Sequence, residues 1–526
     1  MIIPRAKIEL TSEIECKFVT PISIQTDNES TFVTGVIQEM LPYIKTANGE
    51  GGSVLSIQIQ SEISEKNEFY KLVSKGGNIE IIAKDKRGVV NAVASLAQII
   101  YENNGEYYVN ETRIEDYPDK EFRSLMIDTG RKYIPLDELR AQILMMAKAK
   151  MTKLHWHITD SEGCPVRFDT IPNIKSPDPD GRKYTKDDVR SIVEYAGIFM
   201  IDVIPEIDMP GHSFELVNCM PDIACKADHI EGWDFCIGNE KSYEYVENIL
   251  KELTEIFPYE YYHIGTDEIN MRDIVTKHGA QIQDWENCTI CNEKFSALGL
   301  HTITERLYYF VKRVYNILKK LGKKMIMWND NIDISKSPDI PRDILIEFWR
   351  VAGMHRGPSE GCSMQRFLEE GFTVVNADYP NTYIDLPEYL NWKKLRTWNL
   401  TTDPTVPEEY ADKIIGAESC AWDIQRHYAF SLYTTVPAFA DRAYNLSSIA
   451  DDGEFGAALT RIALGASVPK GFNMFDCVLR DFILSDNSCN IFKSTADKDY
   501  FKRLLSSLGA MSKDQEKLIS AYIELL

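Results

Sequence analysis

The sequence has no run of about 18 apolar residues, the length a helix needs to cross a bilayer, so no membrane-spanning helix is expected. It is short of positive charge: 58 Lys and Arg stand against 80 Asp and Glu, a formal net charge of −22. Phosphate backbones and anionic lipids are held by basic surface. The deficit argues against nucleic acid and membrane as partners. It also disfavours a strongly anionic polymer as substrate unless a local basic pocket exists. Low-complexity tracts and short repeats are missing. The start, MIIPRAKIEL, has no basic segment leading into a sustained apolar core, so no signal peptide is read and a cytoplasmic location is expected. The 11 cysteines are an odd number scattered along a large chain. That fits reduced thiols in a cytosolic enzyme better than a disulfide framework.

What is present is ample material for a core: 526 residues, 44% of them hydrophobic, too many for one ordinary domain. The first region, 1–118, reads as a small α/β domain. GSVLSIQIQ (52–60) and NIEIIAK (78–84) alternate with period two, and RGVVNAVASLAQIIY (87–101) has helical spacing. Pro118 and the charges around it mark a junction. From 123 onward, short apolar strands recur, each followed by a longer amphipathic segment. The strand candidates are 123–131, 153–160, 202–209, 261–268, 324–330, 344–350, 373–379 and 414–422. Helical patterns fill 135–150, 185–199, 242–257 and 302–322. Eight strands alternating with helices predict a (β/α)8 TIM barrel over 119–450. The remainder, 451–526, reads as a helical extension packed on the barrel.

Nearly every strand candidate ends in polar or aromatic residues: Asp128 and Arg131, His157 and Asp160, Glu206 and Asp208, Asp267 and Glu268, Trp328, Trp349, Asp378, Trp422. In such a barrel the C-terminal strand ends share one face, and chemistry sits there. YYHIGTDE (261–268) runs an apolar strand straight into two adjacent carboxylates. Two close carboxylates push each other's pKa apart, so one can be acid while the other is anion. That division suits glycoside cleavage, and tryptophans at neighbouring strand ends would wall a sugar's C–H face. Plainer readings stand beside these. An Asp-Glu pair after a strand is commonly a solvated loop or a helix cap. Arg131 could simply pair with Asp128, His212 could be a turn residue after Pro-Gly, and the tryptophans could be core.

Three blocks carry a resemblance: RSLMIDTGRKYIPLDELRAQILMMAKAKMTKLHWHITDSEG (123–163), YTKDDVRSIVEYAGIFMIDVIPEIDMPGHS (184–213) and YYHIGTDE. Together with MIMWND, IEFWR, YPNTYID and ESCAW, they are similar to glycoside hydrolase family 20, the β-N-acetylhexosaminidases, over roughly 70–440. The family signature commonly reads His-x-Gly-Gly-Asp-Glu; here Thr266 replaces the second Gly. The resemblance implies exo-acting hydrolysis of terminal β-linked GlcNAc or GalNAc from an oligosaccharide or glycoconjugate, without cofactor. It implies no enzyme nucleophile: the substrate's 2-acetamido oxygen attacks the anomeric carbon, through an oxazolinium intermediate with net retention. By resemblance Glu268 is general acid and then base, and Asp267 orients the acetamide. Tyr383 bonds the acetamide oxygen, and Asp385 is its sugar-binding neighbour. Arg131 clamps ring hydroxyls; Trp328, Trp349 and Trp422 box the sugar; Asp160 and His212 form a relay beside the acid. A homodimer is left open.

Departures and alternatives remain. The family commonly has Trp-x-Glu at the eighth strand end, the Glu reading C4 and C6 hydroxyls; here Ile424 takes that position and Asp423 is one residue early. A C6-substituted or extended amino sugar is therefore a second substrate reading. A retaining enzyme with Glu206 or Asp208 as nucleophile, and a non-catalytic carbohydrate-binding barrel, are the competing ones. His155 and His157 alternate on one strand and give a two-histidine metal cue without an evident third ligand. Cys288 and Cys291 form a CxxC in WENCTICNEKF, half of a zinc pattern. Cys219, Cys225 and Cys236 make four ligands arithmetically available, but the spacing gives no second CxxC. The expectation is a structural loop and no metal.

Overall fold

The computed structural model describes residues 1–447 apart from 28, 48, 50, 227–234, 270–284, 330–331, 333–338, 351–361, 385–394, 396, 404 and 423–428, and beyond them only 454–455 and 458–459. The extension expected over 451–526 therefore lies almost wholly outside the described residues, as do Asp385, Asp423 and Ile424.

The N-terminal part is a mixed sheet of β1 (Ile8–Phe18), β2 (Ser23–Thr26), β3 (Val54–Ile59), β4 (Tyr70–Lys75), β5 (Asn78–Ala83), β6 (Tyr101–Asn103) and β7 (Glu106–Asp116). Its order is β1-β7-β4-β5-β3-β2, with β6 beside β7. The period-two pattern of β5 turns Ile79, Ile81 and Ala83 inward. Helix Lys86–Ile99 packs on β4 and β5, its first turn capped by the Asp85 carboxylate accepting from the Gly88 N–H at 2.8 Å.

Eight parallel strands then close into a barrel: β8 (Phe122–Asp128), β9 (Lys153–Thr159), β10 (Asp202–Ile207), β11 (Tyr261–His263), β12 (Lys324–Trp328), β13 (Leu345–Phe348), β14 (Thr373–Asn376) and β15 (Ile414–Ala421). These are the eight strands the sequence pattern predicts. Every residue of β8 and β9 is buried, as expected of strands covered on both faces. Helices Leu136–Lys148, Lys186–Ile198, Glu240–Thr254 and Ile303–Lys320 lie where the amphipathic segments predict them. The last two of these helices differ in cap chemistry. A full capping box, Thr302 with Glu305, starts Ile303–Lys320, and the Asn239 side chain starts Glu240–Thr254.

Inward-facing side chains stack in layers along the barrel axis. The lowest is apolar: Phe122, Ile204, Ile326, Leu345 and Val375. One pleat higher the layer is polar: Ser124, His155, Glu206, His263, Glu347 and Glu418, all buried. Above it lies an aromatic layer with Met126, Trp328, Trp349, Ala377, Tyr383 and Cys420. The N-terminal sheet is fastened near the strand starts by buried ion pairs, Arg123–Glu68 at 2.5 Å and Lys150–Asp116 at 2.8 Å. Docking there leaves the opposite, C-terminal mouth to the loops.

Candidate active site

The three-residue strand β11 explains how two adjacent carboxylates reach one cavity. Past His263 the backbone leaves the extended region: Gly265 has φ 71°, Thr266 φ 81° and Glu268 φ 50°. This left-handed kink cancels the side-to-side alternation of a strand, so Asp267 and Glu268 end on the same partner. His212 Nε2 lies 3.4 Å from Asp267 Oδ2 and 3.4 Å from Glu268 Oε2. Neighbouring backbone is pressed tightly against the kink. A Cβ on Gly265 would meet Asp208 Oδ1 at 1.7 Å, and one on Gly211 would meet the Asp267 carbonyl at 2.4 Å.

Thr266 is the costly residue in this turn. A β-branched side chain at positive φ is strained by roughly 1–2 kcal/mol, and its buried hydroxyl has no hydrogen-bond partner among the described residues. An unmet buried hydroxyl costs about 1–3 kcal/mol. Thr266→Gly removes both costs. It adds about 0.5–1 kcal/mol of chain entropy and loses about 0.8 kcal/mol of methyl burial. We expect a net gain of about 1 kcal/mol in denaturant unfolding. A lower unfolding midpoint in the variant would contradict the strain reading.

The other end of His212 faces Asp160, with Nδ1 3.3 Å from Oδ1. Arg131 reaches Asp160 at 2.7 Å and Asp128 at 3.2 Å, and its guanidinium lies 4.9 Å over the Trp422 ring. Arg131 thus makes the wall pairing with Asp128 and also reaches into the mouth. Burial pushes the His212 imidazole down, but Asp160 and Asp267 outweigh it and hold the ring well above its usual range, so it is protonated. Burial pushes the Glu268 carboxyl up, yet His212, Arg350 and Arg131 together hold it below the ordinary glutamate value. These shifts favour the proton on His212, 3.4 Å from a Glu268 carboxylate whose side chain is 26% open to solvent.

Four aromatic residues, three at strand ends and Tyr383 in the connection after β14, form a box. Trp349 stacks on Tyr383 with centroids 6.1 Å apart, Tyr383 meets Trp422 at 6.2 Å, and Trp422 meets Trp328 at 5.9 Å. The polar layer below holds this box in place. Glu206 accepts from Trp328 Nε1 at 3.0 Å and lies 2.8 Å from His263 Nδ1, while its other oxygen bonds His157. His157 in turn bonds Asp160 at 3.0 Å and meets the Trp422 ring edge-on at 4.8 Å. His155 and His157 do face the same way, but their partners are carboxylates. His155 lies 2.8 Å from Glu418, and the pull of Glu418 and Glu206 overcomes burial and raises it to about 9.

The model of "Glycosyl hydrolase family 20, catalytic domain" matches residues 121–445, and that of the family's domain 2 matches 17–117. The chain belongs to glycosyl hydrolase family 20. Among curated relatives, a β-hexosaminidase of Porphyromonas gingivalis is 27% identical over 319 residues, covering 56% of this chain and 40% of that protein. The human β-hexosaminidase subunit beta is 27% identical over 385 residues, 70% of this chain and 65% of the human one. Against the first relatives, the chain spans about half of their length, between 40% and 56%. The fold superposes on a family 20 exo-β-N-acetylglucosaminidase of Vibrio harveyi solved with N-acetylglucosamine, with TM-score 0.74 and 20% identity, over 90% of this chain and 78% of that one.

Within this family 20 site, neither carboxylate of β10 and its extension is placed as an enzyme nucleophile. Glu206 is fully buried and taken up by His157, His263 and Trp328. Asp208 is 1% exposed. Burial and the nearby Asp267 push its carboxyl well above the usual range, which disfavours the anion a nucleophile needs. The reading with Glu206 or Asp208 as nucleophile loses its geometric basis. The structure gathers Arg131, Asp160, His212, Asp267, Glu268, Trp328, Trp349, Tyr383 and Trp422 at one mouth; Asp385 lies outside the described residues. Sequence reasoning missed Arg350, whose charge acts on Glu268, and the buried Glu347 and Glu418. The two glutamates were legible as acidic residues at inward parity in IEFWR and ESCAW.

Proposed function

We propose that the chain is an exo-acting β-N-acetylhexosaminidase that hydrolyses terminal β-linked GlcNAc or GalNAc with participation of the substrate's acetamide. The carrying observation is the Asp267–Glu268 pair, both oxygens 3.4 Å from one His212 nitrogen, at the rim of an aromatic box. Asp267 Oδ1 is buried without a hydrogen-bond partner among the described residues. A buried acceptor left open suits an incoming N–H, and the acetamide provides one.

In the first step the acetamide oxygen forms a bond to the anomeric carbon as the glycosidic C–O bond breaks. Glu268 gives its proton to the leaving oxygen. Asp267 accepts the acetamide N–H, aims the carbonyl oxygen and stabilises positive charge on the forming ring. Tyr383 donates to the acetamide oxygen, and Trp328, Trp349 and Trp422 wall the sugar and keep water away. In the second step the Glu268 carboxylate takes a proton from water, which attacks the anomeric carbon and reopens the ring with retention. Arg131 holds ring hydroxyls with its planar fork of donors. An aryl N-acetyl-β-glucosaminide should be cleaved while the matching aryl β-glucoside is not. Equal rates on both would remove the acetamide from the mechanism, and no cleavage of either would favour a binding barrel.

The proton held on His212 gives a pH prediction. A sugar covering the open edge of Glu268 removes water from the carboxylate and draws the shared proton onto it. The His212–Glu268 pair loses that proton only as pH rises through the elevated His212 value. In His212→Asn, Glu268 must hold it alone, so the alkaline limb of kcat/KM should move down by at least ~1 pH unit. A limb that stays in place would show that Glu268 does not draw on His212.

A further inference from the structure

The cysteines that the sequence leaves apart come together in space. Cys225 follows the short turn Pro221–Ile223, Cys236 precedes helix Glu240–Thr254, and Cys288 and Cys291 begin helix Thr289–Ala297. An antiparallel bridge, Ala224 with Phe235, sets Cys225 and Cys236 side by side even though ten residues separate them. This pairing supplies what a second CxxC would supply in sequence. All four Sγ atoms lie within 4.8 Å of one another, with Cys236 3.8 Å from Cys288 and 3.6 Å from Cys291. Zinc–thiolate bonds of about 2.3 Å in a tetrahedron place sulfurs roughly 3.8 Å apart. The four side chains are between 0% and 2% exposed.

From this geometry we propose that Cys225, Cys236, Cys288 and Cys291 bind one structural Zn²⁺. The surroundings suit a thiolate centre. The Lys226 N–H donates to Cys288 Sγ at 3.3 Å, the kind of outer hydrogen bond that orients a metal-bound sulfur. A Cβ on Gly238 would come 3.2 Å from Cys291 Sγ and 2.7 Å from its Cα, so only glycine lets the two segments close around the cluster. Trp285, fully buried, donates to the Phe235 carbonyl at 2.9 Å, which ties the segment before Cys288 to the one before Cys236. Four ligands from side chains leave no open position, so the ion is structural and takes no part in glycoside cleavage.

Its role follows from where the ligands lie in the chain. Cys225 and Cys236 belong to the connection after β10, which also carries His212. Cys288 and Cys291 belong to the connection after β11, which begins with Asp267 and Glu268. One ion ties the far ends of the two connections that supply the acid and its proton partner. Ligation needs deprotonated thiols, so binding releases protons and is tied to folding of these loops.

Protein made in zinc-supplemented medium and purified without chelator should carry about one zinc per chain by plasma mass spectrometry. Cys288→Ser/Cys291→Ser should lower the content at least ~tenfold and lower Tm. Should that variant fail to fold, titrating the parent with a mercurial in the presence of a zinc dye should release one zinc as thiols react. Protein refolded with Co²⁺ should show thiolate-to-cobalt charge transfer and tetrahedral d–d bands. Metal-free protein that takes up neither Zn²⁺ nor Co²⁺ on refolding would overturn the proposal. A disulfide among the four cysteines in anaerobically handled protein, or bound iron in place of zinc, would overturn it equally.

Discussion

Glu268→Gln should fold like the parent and hydrolyse N-acetyl-β-glucosaminides with alkyl or sugar leaving groups ~10²–10⁴-fold more slowly, the range expected from losing a positioned acid and base. The substitution keeps the side chain's size and removes only its ability to carry the transferred proton. A nitrophenyl leaving group departs without protonation, so the first step on that substrate should be spared. The second step still lacks its base. Added azide, a nucleophile that needs no deprotonation, should therefore restore turnover of the activated substrate. Steady-state rates on matched alkyl and nitrophenyl glycosides read this directly. Full activity on an alkyl glycoside would end the acid role.

Asp267→Asn should lower kcat by ~10²-fold or more, by analogy with removing one preorganised electrostatic group. The reasoning differs from that for Glu268. Asp267 Oδ1 is a buried acceptor with no hydrogen-bond partner among the described residues, and an amide there can offer N–H groups to the acetamide N–H instead of accepting it. The attacking oxygen is then misaimed and positive charge loses its anion. Because the acetamide must attack as the bond to the leaving group breaks, whatever that group is, a nitrophenyl substrate should not escape this loss. The two variants thus separate by leaving group: Glu268→Gln is sensitive to it and Asp267→Asn is not. An unchanged kcat in Asp267→Asn would take that residue out of the chemistry.

The barrel was legible because its signal is periodic and local. Each strand reads as a short apolar run with a polar end, and each helix shows an apolar face, so eight repeats of one pattern could be counted without a structure. Most strand-end residues could be nominated the same way. Glu206 and Asp208 could not be told apart from Glu268 by pattern, since all three are acids at strand ends. Their difference is one of burial and partners: Glu206 is enclosed by His157, His263 and Trp328, whereas Glu268 keeps an open edge. The kink at Thr266 was equally hidden. A threonine is a poor guide to positive φ, and the substitution was visible only as a departure from a glycine-rich signature.

The chain's own pattern determined the architecture, the acidic charge balance, and the candidate pair Asp267 and Glu268, because periodicity and composition act over short stretches and need no partner. Folding decided which acids face solvent, that the proton rests on His212, and that four cysteines between 225 and 291 share one buried point. Those properties depend on groups distant in sequence meeting where water is excluded, and an electrostatic field or a ligand set of that kind exists only once the loops have closed.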